Sequence, residues 1–163
     1  MPHLRLSLIR VVLLWVAMPM AHSTPSVDCE TFSGTWRLQR VTDGERSRTD
    51  LNERLTFRCE EGSIALEYQI TDRFGTRTLD LAAPLDGRPR EQRVQSRRAL
   101  VAARIDDGQL ELRIERDAPF GHIHNQRQMR PDLETRRLES LRINYTKDGS
   151  EHSKWRETWV RVE

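Results

Sequence analysis

The sequence has 163 residues, with 27 Lys and Arg against 25 Asp and Glu, and a formal net charge of only +2. This near-balance gives no electrostatic preference for nucleic acid or for a membrane surface. The sequence also contains no P-loop, no dinucleotide-binding glycine motif and no Gly-x-Ser-x-Gly nucleophile elbow, so the common signatures of nucleotide enzymes and serine hydrolases are missing.

The first 23 residues have the pattern of a secretory signal peptide. Arg5 and Arg10 form a positive region, and residues 11–18 form an apolar run too short to span a bilayer. Small residues precede the expected cleavage point after Ser23. Both arginines and no acids would leave with this segment, so the remaining 140 residues hold 25 basic and 25 acidic side chains. We expect an exported protein, periplasmic or secreted, without a stable membrane anchor after cleavage. An uncleaved anchor is the alternative.

Two cysteines, Cys29 and Cys59, both follow the signal sequence. An oxidising compartment makes a disulfide the default state of such a pair. Two thiolates without further cysteines make a poor metal site. We therefore predict a Cys29–Cys59 disulfide that ties the N-terminal lead to the second predicted strand.

The first predicted strand, 35–41, follows the tripeptide Phe-Ser-Gly and opens with Thr-Trp. Gly34 has no side chain, so another segment can approach the backbone closely at the strand entry. Trp36 and Leu38 point to one face because successive side chains alternate along a strand. The later strands are expected to fold back on this one.

Those later strands show apolar–polar alternation and are separated by turns rich in Gly and Asp. They are predicted at 55–59, 64–70, around 79–81, and at 98–105, 110–114, 141–145 and 154–162. Prolines and glycines in 83–96 and 116–132 predict mainly loop. The first of these segments has room for a short edge strand, and the second for one irregular strand around 122–128.

Residues 132–140 fit two interpretations. Asp132 is a suitable N-cap for one short helix. Residues 137–146 fit a strand equally well. The sequence leaves both open.

About eight or nine strands joined mostly by tight turns predict an all-β, antiparallel, up-and-down sheet. A lone sheet of that length would leave two edges and one face uncovered, so closure into a barrel is expected.

The Phe-Ser-Gly-Thr-Trp opening resembles the start of lipocalin and calycin proteins. The resemblance implies a single lipocalin-like β-barrel domain over residues 24–163. It also implies that an arginine near the last strand packs across Trp36. Arg161 is expected in that role if Trp155 and Trp159 face inward, and Arg156 otherwise.

A barrel of this type predicts a non-catalytic binding or accessory protein of the cell envelope that holds a small apolar or amphipathic ligand at the barrel mouth. The candidate ligand-binding residues are Trp36, Tyr68, Trp155 and Trp159. The small residues Ala99, Ala102 and Ala103 are the main sign of interior space. One alternative is a filled barrel that binds another protein, and a less favoured one is a small enzyme at the barrel mouth.

We assign no catalytic residue, cofactor or metal site. His122 and His124 would lie on one face of a strand and supply only half of a metal site. Their segment is polar and loop-like, where histidines are commonly just solvated.

Overall fold

One antiparallel sheet contains eleven strands within the residues that the computed structural model describes, which are 28–49, 51–118 and 121–162. The predicted signal peptide, 1–23, lies outside this part of the chain. A 3-10 turn, Cys29–Thr31, comes first, and no helix in the described ranges is long and apolar enough to cross a membrane. The strands are β1 (Gly34–Asp43), β2 (Arg46–Arg48), β3 (Glu53–Glu60), β4 (Ser63–Asp72), β5 (Gly75–Pro84), β6 (Arg90–Val94), β7 (Arg97–Asp106), β8 (Gln109–Ala118), β9 (Gly121–Asp132), β10 (Arg137–Tyr145) and β11 (Glu151–Val162).

The strand order is β5-β4-β3-β1-β11-β10-β9-β8-β7-β6, and the short β2 pairs with β1. Neighbours in this order are neighbours in the chain, except where β3 meets β1, with the short β2 between them in the chain, and where β1 meets β11. That pairing is antiparallel and places Trp36 opposite Arg161. The predicted all-β, antiparallel, up-and-down barrel is confirmed, with eleven strands instead of eight or nine.

The prediction that 116–132 is mainly loop is wrong. β8 continues to Ala118, and β9 occupies Gly121–Asp132. β9 pairs with β8 on one edge and with β10 on the other, so two hydrogen-bond ladders outweigh its polar sequence. Pro131 is tolerated because it lies one residue from the strand end.

The short helix considered for 132–140 is also wrong. The Asp132 carboxylate accepts hydrogen bonds from the backbone N–H groups of Glu134 and Thr135, at 3.0 and 3.1 Å, and from the Thr135 hydroxyl at 2.6 Å. These bonds hold a tight turn, and β10 begins directly after it at Arg137.

Aromatic side chains fill one end of the barrel, which we call the closed end. Trp36 is buried, and its Nε1 donates to the carbonyl oxygen of Phe32 at 2.8 Å. The rings of Phe32 and Phe57 meet edge to face with centroids 6.3 Å apart. The Cys29–Cys59 disulfide, with Cα atoms 5.7 Å apart, ties the 3-10 turn to β3 here, which confirms the predicted pairing.

Arg161 covers the closed end. Its guanidinium carbon lies 5.4 Å from the centroid of the Trp36 ring, and its Nη2 donates to the carbonyl oxygen of Ser33. A Cβ atom at Gly34 would lie 3.2 Å from that Nη2, so the glycine leaves room for the arginine. Gly34 also has a φ of +112°, which other residues rarely adopt. Arg156, the other candidate, is exposed to solvent.

A side chain closes the barrel between β5 and β6, the two ends of the sheet. The Oε1 of Gln92 accepts from the N–H of Ala82 at 3.2 Å, and its Nε2 donates to the carbonyl oxygen of Ala82 at 2.7 Å. One amide thereby imitates a pair of ladder hydrogen bonds. Nearby, the N–H of Gly87 donates to the carbonyl oxygen of Ala103 at 2.9 Å and links the end of β5 to β7.

Gly34→Ala should reduce the free energy of unfolding more than Gly75→Ala. Gly75 has nearly the same φ, +116°, but a Cβ there meets nothing within 4 Å. We expect a loss of about 1–2 kcal/mol at Gly75 from backbone strain, and about 2–3 kcal/mol at Gly34, where Arg161 must also shift. Urea unfolding of the two variants measures the difference. Equal losses would contradict the packing role of Gly34.

Candidate ligand-binding site

An interior cavity of about 190 Å³ spans the barrel from β4–β6 to β8–β10. Several lining residues lie near the β8–β9 and β10–β11 turns, at the end of the barrel that we call the mouth. Part of the lining is apolar. The apolar lining residues are Leu66, Leu79, Val94, Leu112, Ile114 and Ile123.

The rest of the lining is polar and alternates with the apolar residues, since Arg127 pairs with Leu112 and Asn125 with Ile114. Arg127 and Arg142 are direct partners in the β9–β10 ladder, and Asn125 and Asn144 are partners two residues further along. The two asparagine side chains are hydrogen-bonded to each other. Arg116 donates to the Oε1 of Gln95 at 3.0 Å. The polar lining residues are Tyr68, Arg116, Asn125, Arg127, Arg142 and Asn144.

One buried carboxylate faces the two central arginines. The Oε1 of Glu157 lies 3.1 Å from the Nε of Arg142 and 3.6 Å from an Nη of Arg127. The side chain of Glu157 is 0% exposed and that of Arg127 6%, while Arg142 keeps 24% exposure. Two positive charges thus share one negative charge inside the barrel.

Tyr68 also lines the cavity, and it is a neutral hydrogen-bond donor. Its hydroxyl donates to the carboxylate of Glu53, and its ring contacts Trp159 edge to face with centroids 6.4 Å apart. The guanidinium carbon of Arg127 lies 5.1 Å from the Tyr68 ring centroid. Burial raises the pKa of Tyr68 to about 12, and the nearby Glu53 carboxylate adds to the shift while Arg127 opposes it.

Six buried polar atoms around Glu157 have no hydrogen-bond partner among the described residues. They are the Nε atoms of Arg127 and Arg142, both carboxylate oxygens of Glu157, the hydroxyl of Ser140 and the indole Nε1 of Trp159. Buried polar groups normally bond to protein or to ordered water. Two of these atoms, Arg142 Nε and Glu157 Oε1, nevertheless lie 3.1 Å apart and interact as an ion pair.

The four aromatic residues predicted to bind ligand occupy different places. Tyr68 lines the cavity. Trp159 is fully buried behind Tyr68, and Trp155 lies beside Arg142 with its ring centroid 4.7 Å from the guanidinium carbon. Trp36 belongs to the closed end and does not line the cavity.

The alanines predicted to leave interior space do not line the cavity. Ala99 and Ala103 belong to the packed core, while Ala102 is paired with the exposed Arg113 on the outer face. These alanines therefore do not line the space, although Ala99 and Ala103 pair directly with the lining residues Arg116 and Leu112.

The two histidines pair with acids of β8. The Nδ1 of His122 lies 3.2 Å from Asp117, and the Nδ1 of His124 lies 3.8 Å from Glu115. No group of three or more potential metal ligands occurs in the described part of the chain.

The sequence matches no family model and no curated protein. Three solved structures are similar in fold. The apo lipid binding protein 8 of Caenorhabditis elegans has a TM-score of 0.60 at 10% identity, covering 83% of this chain and 99% of that one. A secretary abundant heat soluble protein of Ramazzottius varieornatus has a TM-score of 0.56 at 9% identity, covering 81% and 96%. Human cRBP IV has a TM-score of 0.53 at 11% identity, covering 80% and 97%.

The chain shares the antiparallel β-barrel fold of these proteins. At these identities the likeness concerns the fold alone. The resemblance inferred from the Phe-Ser-Gly-Thr-Trp opening is confirmed at that level.

The free energy of unfolding should fall as the pH rises from about 10 to about 12, because burial raises the pKa of Tyr68 in the folded protein. Its pKa is raised from 10.0 to about 12 in the folded protein, so the folded state keeps a proton that the unfolded state loses. This stabilisation is fully present below about pH 10 and is lost through about pH 12. Chemical unfolding of the wild type and Tyr68→Phe across this range checks the prediction. Parallel losses in the two proteins would rule it out.

Proposed function

We propose that this protein is a non-catalytic binding protein that holds a small amphipathic anion, a short- or medium-chain carboxylate, inside the barrel. The observation that carries the proposal is the pair Arg127 and Arg142, which line one cavity together with six aliphatic residues and share a single carboxylate. A carboxylate head would neutralise the remaining positive charge.

The aliphatic side chains of the lining supply the second part of the recognition. Each methylene buried against them contributes about 0.8 kcal/mol. The cavity of about 190 Å³ is somewhat larger than the ~150 Å³ that accommodates benzene, and smaller than the ~300–1,000 Å³ of drug-sized sites. The head and first carbons of a chain therefore fit inside, and a longer tail extends to the mouth.

The structural neighbours support a binding role. One is named as a lipid binding protein, and another is a zebrafish ileal bile-acid-binding protein complexed with cholic acid, with a TM-score of 0.50 at 10% identity, covering 81% of this chain and 99% of that one. These are binding proteins, which supports a non-catalytic function here. An interior cavity also argues against a completely filled barrel that acts only as a protein-interaction module.

Calorimetric titration with decanoate and decanol tests the proposal. We expect decanoate to bind more tightly, since hydrogen bonds to charged groups contribute about 1.5–3 kcal/mol. Arg142→Gln should weaken decanoate binding about tenfold or more and leave decanol binding nearly unchanged. Arg156→Gln, which removes an exposed arginine, is the matched control. Equal affinity of wild type for the acid and the alcohol would disprove anion recognition, as would the absence of binding.

We further propose that the protein is exported to the periplasm or beyond and carries no membrane anchor after cleavage. The signal-like pattern of residues 1–23 and the Cys29–Cys59 disulfide support this location, because disulfides persist in oxidising compartments. Protein recovered from its native host should begin at Thr24. Mass spectrometry that finds residues 1–23 still attached would refute the proposal.

A further inference from the structure

Glu157 does not line the cavity, although both arginines that it faces do. It comes from β11, whereas Arg127 and Arg142 come from β9 and β10. The carboxylate therefore does not line the space for a ligand, and it acts through its charge and through the guanidinium groups that it contacts. Its side chain is completely buried, so its charge is poorly screened by water.

The charges around this point can be counted. Arg116, Arg127 and Arg142 line the cavity and carry three positive charges, while Glu157 and Glu53 carry two negative charges, which leaves +1. These five side chains form the charge cluster. Tyr68 is neutral and donates a hydrogen bond to Glu53, which keeps its charge. Uncompensated charge in a buried site is costly, so the ligand that brings the cluster to neutrality is favoured.

From this count we propose that Glu157 is a specificity-determining positioning residue that makes the cavity select singly charged anions. The inference rests on the proposed function and deepens it by defining the charge of the ligand. A carboxylate head brings the cluster to zero. A doubly charged head such as a phosphate monoester brings it to −1, and an alcohol leaves it at +1.

The geometry supports a positioning role as well. A single oxygen of Glu157 is the near neighbour of both guanidinium groups, so one carboxylate orients both arginines. Glu157 thus holds the two arginines together while it halves their net charge.

The experiment compares decanoate with decyl phosphate at about pH 8, where a phosphate monoester carries two charges because its second pKa is about 6. A loss of folding stability in a variant affects the binding of both ligands equally, so it cancels in the ratio of their two dissociation constants. Wild type should favour decanoate. Glu157→Gln raises the cluster to +2 and should move the ratio toward decyl phosphate about tenfold or more.

Two further variants separate charge from structure. The double variant Arg127→Gln with Glu157→Gln restores +1 without any buried carboxylate and should recover the wild-type preference. Glu139→Gln removes an exposed carboxylate, which accepts from the Thr158 hydroxyl at 3.0 Å, and should leave the ratio unchanged. If Glu157→Gln does not fold, Arg127→Gln alone is measured instead. This substitution lowers the cluster charge to zero, so the variant should bind decanol more tightly than decanoate.

An unchanged ratio in folded Glu157→Gln would overturn the inference while the proposed function stands. So would a double variant that retains the phosphate preference, or Arg127→Gln that still prefers decanoate. If wild type binds neither anion, the proposed function fails and this inference fails with it.

Discussion

A charge taken into the interior of a small barrel has to be neutralised there, and this constraint decides how the cavity is built. Arg127 is almost fully buried, and Glu157 completely so. Loss of one partner of such a group typically costs about 3–5 kcal/mol, yet replacing the whole group with apolar residues is often neutral or stabilising. The stability of the fold therefore gives little reason to retain these charges. Binding of an anionic ligand by the two arginines is a better reason.

The closed end explains where the free space lies. Trp36, Phe32 and Phe57 fill that end, and the Arg161 guanidinium covers it. Toward the mouth the interior is lined by aliphatic residues together with the arginines and asparagines of β9 and β10, which cannot pack as densely as leucine. The cavity and its positive charge thus arise from the same choice of residues.

The join between β5 and β6 forms part of the barrel wall beside the cavity. Leu79 and Val94 line the cavity and belong to these two strands. A single glutamine amide bridges the strands in place of a continuous ladder. Side-chain hydrogen bonds exposed to water are weaker restraints than a full strand pairing. This wall is therefore where we expect the barrel to open most easily.

Much of the fold could be predicted because its signals are local. The alternation in 64–70 and the Asp-Gly turn before β8 are readable from neighbouring residues. The packing of Arg161 on Trp36 was expected only through the family resemblance. β9 was missed because its polar inward residues look like a loop until both neighbouring strands are in place.

The charged site could not be predicted from the sequence, for a related reason. Arg127, Arg142 and Glu157 are spread over three strands, and only the register brings them together. In the sequence each is one of many charged residues, and a solvated surface is the ordinary place for them. The one available signal was the alternation of side chains along a strand. Arg142 is four residues after the buried Leu138, and Glu157 is two residues before the buried Trp159, so both side chains point inward.

A crystal structure of the protein with bound decanoate tests the central claim most directly. The account predicts the carboxylate within hydrogen-bond distance of Arg127 and Arg142, on the side away from Glu157, with the chain along Leu112 and Ile114 toward the mouth. A ligand bound in the reverse direction, with its head in solvent and its tail against the arginines, would contradict the account.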